Sequence, residues 1–152
     1  MSSTAVMPAA THQELAGRRS AASDLSDPVH QAFWLLRIGF TLAPILFGID
    51  KFAHVLVNWD KYLAPEFTDL FNAQAHTLMY AVGAIEIVAG LVVALRPRFG
   101  GYLVAAWLAG IIINLLLLGN YYDVALRDFG LLLAALTLAR LATAVVPSRR
   151  RA

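Results

Sequence analysis

The chain has no cysteine, which removes disulfides, thiol nucleophiles, iron–sulfur ligation and Cys-x-x-Cys redox chemistry. Any redox role must therefore be borrowed from a ligand or a partner, and no intrinsic cofactor is expected. Charge is scarce as well: 14% of the 152 residues are charged against 59% hydrophobic, and mean hydropathy is +0.65. A soluble domain of this length cannot hide so much apolar surface, so the composition reads as an integral membrane protein. The first 30 residues lack the charged region and compact apolar core of a cleavable secretory signal, so the first apolar run is expected to be retained.

A span of the bilayer core needs about 20 apolar residues. Four stretches qualify, at about 31–53, 76–95, 101–118 and 126–146. They form one domain over 30–146, an all-α transmembrane four-helix bundle. Residues 1–29 are rich in Ser, Ala and isolated charges without periodicity and read as a flexible tail ending at the helix-start signal Asp27-Pro28. Residues 147–152 form a second, basic tail. The net charge of +2 would hint at nucleic acid in a soluble protein. Here Arg18 and Arg19, Arg96 and Arg98, and Arg149, Arg150 and Arg151 sit in short segments that all fall on one side of the spans. By the positive-inside rule they place both termini and the RPRFGG turn in the cytoplasm, with 54–75 and 119–125 outside the cell (inner) membrane. No nucleic-acid partner is expected, and the bilayer itself is the first partner.

In the long outer connection, HVLVNWDKYLAPEFTDLFNAQA, Leu56, Trp59, Leu63, Phe67 and Leu70 recur at helical spacing and Pro65 interrupts them. Two short amphipathic pieces lying in the interface are predicted between the first and second spans, with Trp59, Tyr62 and Phe67 at headgroup level. They act either as a lid over the bundle or as a gate. No internal repeat relates the two pairs of spans.

Glu86 lies ten residues into the apolar run HTLMYAVGAIEIVAGLVVAL. An ionisable group at that depth costs at least ~2.5 kcal/mol, so it should face the bundle interior and find a polar partner. The other polar residues fall on small-residue stripes. Arg37, Pro44, Gly48 and Lys51 share one face of the first span, and Asp50 and His54 share its neighbour. Met79, Gly83, Glu86, Gly90 and Ala94 align in the second span, Trp107, Gly110, Asn114 and Leu117 in the third, and Asp128, Ala135, Ala139 and Ala142 in the fourth. Small residues let helices approach and polar groups bond across the interface. The polar core is therefore read as Arg37, Asp50, Lys51, Glu86, Asn114 and Asp128. The expected network joins Lys51 to Asp50 or Asp128, sets Asn114 between helices, and carries Glu86 to Arg37 or a trapped water. Structural ion pairing explains such a network as well as function does. Arg140 points away from the Asp128 stripe and is read as snorkelling to headgroups.

Two sites are candidates for chemistry. Glu86 and Asp128 could handle a proton beside a ligand pocket lined by Phe47, Gly83, Trp107 and Gly110, opening laterally near Asn114. Asp50 and His54 at i, i+4, with His76 across the outer mouth, could supply three metal ligands, although such short-range groupings also arise by chance and the working expectation is no metal.

The run LLRIGF, the span end FGIDKF, the acid before glycine in GAIEIVAGLVVAL, the basic turn and the fourth-span start RDFGLLLAAL together resemble the DoxX family of small four-helix membrane proteins. The resemblance runs from about Phe33 to Leu141 and rests on pattern and order. Arg37, Asp50, Lys51, Glu86 and Asp128 fall on that family's recurring polar positions; the outer connection here is longer than the family pattern. The resemblance implies a polar-cored bundle with a partner: a quinone-linked oxidoreductase subunit, a companion of redox-stress enzymes, or an assembly factor for membrane receptors. Three functions follow as expectations: an accessory quinone- or lipid-interacting subunit working with a membrane or peripheral redox protein, a non-catalytic scaffold or assembly factor, and a proton or small-solute carrier.

Overall fold

A computed structural model describes residues 27–146; the tails read at 1–29 and 147–152 lie outside the described residues except for 27–29, as do Arg18, Arg19 and Arg149, Arg150 and Arg151. The architecture is all-α. Helix α1 runs Pro28–Ala53, the short α2 Pro65–Phe71, α3 Ala75–Leu95, α4 Pro97–Leu118 and α5 Tyr122–Val145. Helices α1, α3, α4 and α5 are long and apolar enough to cross a bilayer, and the chain is a multi-pass membrane protein.

Each start and stop has a local cause. Asp27 caps α1 by accepting from the Val29 amide, and Pro28 occupies the first turn, where its missing N–H costs nothing. Those hydrogen bonds, from Val29 and then from His30, hold the Asp27 carboxyl below its ordinary value. Helix α1 ends at His54, in the left-handed region at φ 53°. A single residue, Arg96, separates α3 from α4, because Pro97 can open a new helix but cannot continue the old one. The turn read from RPRFGG is therefore shorter than expected, and its glycines serve packing. A Cβ on Gly100 would lie 2.6 Å from the Val93 backbone, and one on Gly101 2.8 Å from the Ala135 carbonyl. Helix α5 likewise starts four residues ahead of the sequence boundary, at Tyr122.

Helix α1 packs mainly on α3 and α4 on α5, while α3 with α4 and α1 with α5 close the ring. Connections and contacts define two ends. Asp50 of α1, His76 of α3, Asn114 of α4 and Tyr121 before α5 all meet the 54–74 connection; Arg37 of α1 meets Ala94 of α3 at the other end. The helices thus run up and down in turn. The connection is a lid, made of a 3₁₀ turn at Trp59–Tyr62 followed by α2, with Pro65 opening α2.

The core divides along its length. Phe33, Phe40, Val93, Val104, Leu108 and Leu138 form an apolar cluster in the Arg96 half. Leu35, Leu95 and Leu126 are at least 73% exposed, which costs nothing against acyl chains as apolar as they are. With no hydrophobic drive between helices in lipid, association rests on close packing and polar contacts. The buried charges, Asp50, Lys51, Glu86 and Asp128, all lie in the lid half.

Candidate functional site

The close approach of α1 and α3 at paired glycines organises the site. A Cβ on Gly48 would stand 2.6 Å from the Gly83 carbonyl, and one on Gly83 2.8 Å from the Gly48 carbonyl. No larger residue fits either position without movement. The gap left by Gly83 is also where the Lys51 stem lies, 3.1 Å from that hypothetical Cβ. The stem leads the ammonium one turn along α3 to Glu86, where Lys51 Nζ donates to Oε2 at 2.6 Å. Both side chains are at least 90% buried. Trp59 of the lid covers the pair, its ring centroid 4.0 Å from the ammonium, so a cation–π contact supplements the ion pair in a dry setting.

The expected pairings are therefore exchanged. Glu86 takes Lys51 in place of Arg37, and Arg37 donates to the Ala94 carbonyl at 2.5 Å while its guanidinium lies 4.8 Å from the Trp34 ring. That cation in the last turn of α3 meets the negative end of the helix, a structural role.

Asp50, next to Lys51, points the other way. Its Oδ1 accepts from the Val55 and Leu56 amides at 3.1 and 3.0 Å, and its Oδ2 from Trp59 Nε1 at 2.7 Å. Asp50 thus folds the chain after α1 and fixes the tryptophan that covers Lys51. Asn114 sits between a helix and the lid, not between two helices. Its amide donates to the Tyr62 carbonyl at 2.6 Å and its carbonyl accepts from the Ala64 amide at 2.9 Å. It works as a backbone surrogate that clamps the lid, with Ala64 fully buried.

Asp128 is buried. Its ion-pair partner is Arg127, at 3.6 Å and 68% exposed on the side chain, a weak counter-charge in a lipid-facing position. Of the three buried acids, Glu86 pairs with the Lys51 ammonium, Asp50 is held by N–H groups of the lid and Asp128 has Arg127. Trp107 stands against Glu86, its buried indole N–H turned to that carboxylate but just outside hydrogen-bond geometry.

The pocket residues read from the sequence do not form one cavity. Phe47 is 45% exposed and packs edge-on to Trp59. Gly83 is filled by α1, and Gly110 is exposed with open space beside it. Trp107 alone of the four borders a recess: a shallow groove of about 330 Å³ between α3 and α4, lined also by Ala84, Ile85, Val88, Ala89 and Leu103. This groove lies along α4 on the Arg96 side of Asn114, which is not among its lining residues, and Phe47 belongs to α1.

The metal candidate set is not assembled as read either, because both Asp50 oxygens are consumed by the lid. His54 and His76 do meet, with stacked rings 5.1 Å apart, and the carboxylate beside them is Asp60. Sequence spacing missed Asp60 because it reaches the site only through the tight turn that Asp50 imposes. Arg140 is exposed at the Arg96 end.

Comparison of the chain with protein-family models, with curated proteins and with solved structures found no match.

Proposed function

We propose that the protein is a DoxX-like accessory subunit of a membrane redox complex, taking a quinone-class or similar ring-bearing lipid into the groove between α3 and α4. The observation that carries this reading is the double position of Trp107, whose ring walls the groove while its buried N–H is turned to Glu86. An apolar groove with a carboxylate–ammonium pair behind its tryptophan wall suits a molecule with an isoprenoid or aromatic body. Its volume lies at the lower end of the usual range for small-molecule sites.

A quinone supplies reversible electron and proton uptake when bound; the chain has no redox group of its own, so electrons come from a membrane or peripheral partner protein. In this reading Ala84, Val88, Leu103 and the Trp107 ring pack the body of the molecule, and Glu86 with Lys51 and Asp128, behind Trp107, holds or releases a proton. The arginine distribution supports cytoplasmic termini in the inner membrane, with the lid outside.

The scaffold reading is favoured by the tight α1–α3 contact and by the pairing of Asp50, Lys51 and Glu86, which a purely structural core would also require. The carrier reading has least support, since Arg37 is committed to Ala94 and offers no relay to Glu86.

Native mass spectrometry of protein extracted gently from its own membrane separates the readings, comparing wild type with Ala84→Phe, which fills the groove from its open side, and Glu86→Gln. A quinone-mass adduct on wild type that disappears in Ala84→Phe and weakens in Glu86→Gln is expected. Wild type that carries no small molecule, but holds a protein partner equally in all three forms, overturns it in favour of the scaffold.

A further inference from the structure

The lid end contains a second cluster that the reading above does not use. His54 ends α1 with its backbone in the left-handed region, where its amide donates to the Asp50 carbonyl at 2.7 Å. That conformation is uncommon for a residue with a Cβ, and here it turns the imidazole back toward the start of α3. The ring stacks on His76, with 18° between planes. Asp60, at the second position of the 3₁₀ turn, completes the group, and the three side chains offer ligand atoms that all lie within 4.8 Å of one another.

Two atoms of this cluster are buried without a hydrogen-bond partner: His54 Nε2 and Asp60 Oδ1. Buried polar atoms are nearly always satisfied, so two orphans facing one cluster call for an explanation. A cation satisfies an imidazole lone pair and a carboxylate oxygen together.

We propose that His54, Asp60 and His76 bind a divalent transition-metal ion, with Zn²⁺ the best match to two imidazoles and one carboxylate. His54 donates through Nε2 and Asp60 through Oδ1. His76 Nδ1 lies 3.2 Å from Asp60 Oδ2, a spacing bridged by one proton, and when the metal takes Nδ1 the neutral ring carries that proton on Nε2 instead. His76 Nε2 is 2.8 Å from the Tyr80 hydroxyl, so the freed imidazole keeps an outer partner for its remaining N–H, as metal-bound histidines commonly do. Bonds of about 2.0–2.1 Å require ligand atoms somewhat closer together than they now stand, a movement within reach of side-chain rotation. Entry is open, because the His76 and Asp60 side chains are 48% and 30% exposed. The three ligands come from the end of α1, the lid and the start of α3, so the ion staples the lid to the bundle and keeps a fourth position for water.

The test uses the full chain in detergent micelles, stripped with EDTA and titrated calorimetrically with Zn²⁺, with Co²⁺ as a spectroscopic substitute. Wild type should bind one equivalent, give the intense visible absorption of tetrahedral Co²⁺, and gain melting temperature on adding Zn²⁺. Asp60→Asn and His54→Gln should each weaken binding at least about tenfold and lose the Zn²⁺-dependent gain, while His30→Ala binds as wild type. Melting in EDTA separates a lost ligand from a lost fold. No stoichiometric binding by wild type, an octahedral Co²⁺ spectrum, or binding unchanged in both folded variants overturns the proposal. A variant that fails to fold leaves the wild-type Co²⁺ spectrum to decide.

Discussion

Replacing Gly48 with alanine should destabilise the bundle, whereas the same replacement nine residues earlier in the same helix should not. An alanine methyl at 48 would lie 2.6 Å from the Gly83 carbonyl oxygen and 2.8 Å from Ile87 Cγ1, where ordinary contact begins at 3.4 Å. The oxygen belongs to backbone and cannot swing away, so α1 and α3 must part by roughly 0.8 Å, an overpacking that costs about 1–3 kcal/mol. At Gly39 the methyl meets nothing within 4 Å. Both variants gain the same modest helix preference of alanine over glycine, up to about 1 kcal/mol. That gain cancels in the comparison, so Gly48→Ala should be about 1–3 kcal/mol less stable than Gly39→Ala. Reversible unfolding in mixed micelles measures the difference, and Trp59 fluorescence reports whether the cover over Lys51 loosens at the same time. Equal stability of the two variants would refute the argument that backbone approach at the glycine pair holds α1 against α3.

Two other outcomes follow from the same geometry. Lys51→Met leaves the buried Glu86 without its cation and should cost up to about 3–5 kcal/mol, while the double variant Lys51→Met/Glu86→Gln should recover most of that loss; an additive double-mutant cycle contradicts the pairing. Asn114→Ala removes both clamps on the lid and should cost about 1–3 kcal/mol. Hydrogen exchange at the Ala64 amide and proteolysis within 54–74 should accelerate there, and unchanged protection at Ala64 would show that the lid is held by something else.

Composition and periodicity were enough for the architecture, because a bilayer admits few ways to satisfy a backbone and long apolar runs must be helices. The inward faces of α1, α3 and α5 were legible for the same reason: Gly48, Gly83, Glu86 and Asp128 lie on stripes set by 3.6 residues per turn, and all four are buried. The stripe read in α4, Trp107, Gly110, Asn114 and Leu117, holds no buried residue; that helix is apolar on every face and packs through Gly101, Val104, Ala105 and Leu108, and its one amide marks the lid. The partners of the charges were not legible. Periodicity fixes the angle of a residue about its own helix axis but says nothing of how far one helix slides along another. Only packing of Gly48 on Gly83 brings Lys51, near the end of α1, level with Glu86 in the middle of α3, and the lysine stem spans the remaining turn. The same holds for the lid. Its amphipathic pieces and the break at Pro65 could be read from spacing, yet only the turn folded around Asp50 brings Trp59 over Lys51 and Asp60 beside His54 and His76. The sequence by itself determined the spans and the inward faces of α1, α3 and α5, since these depend on local solvation and helix geometry. The tertiary structure decided which charges meet, because that depends on axial offset and on loops whose path is set by contacts distant in the chain.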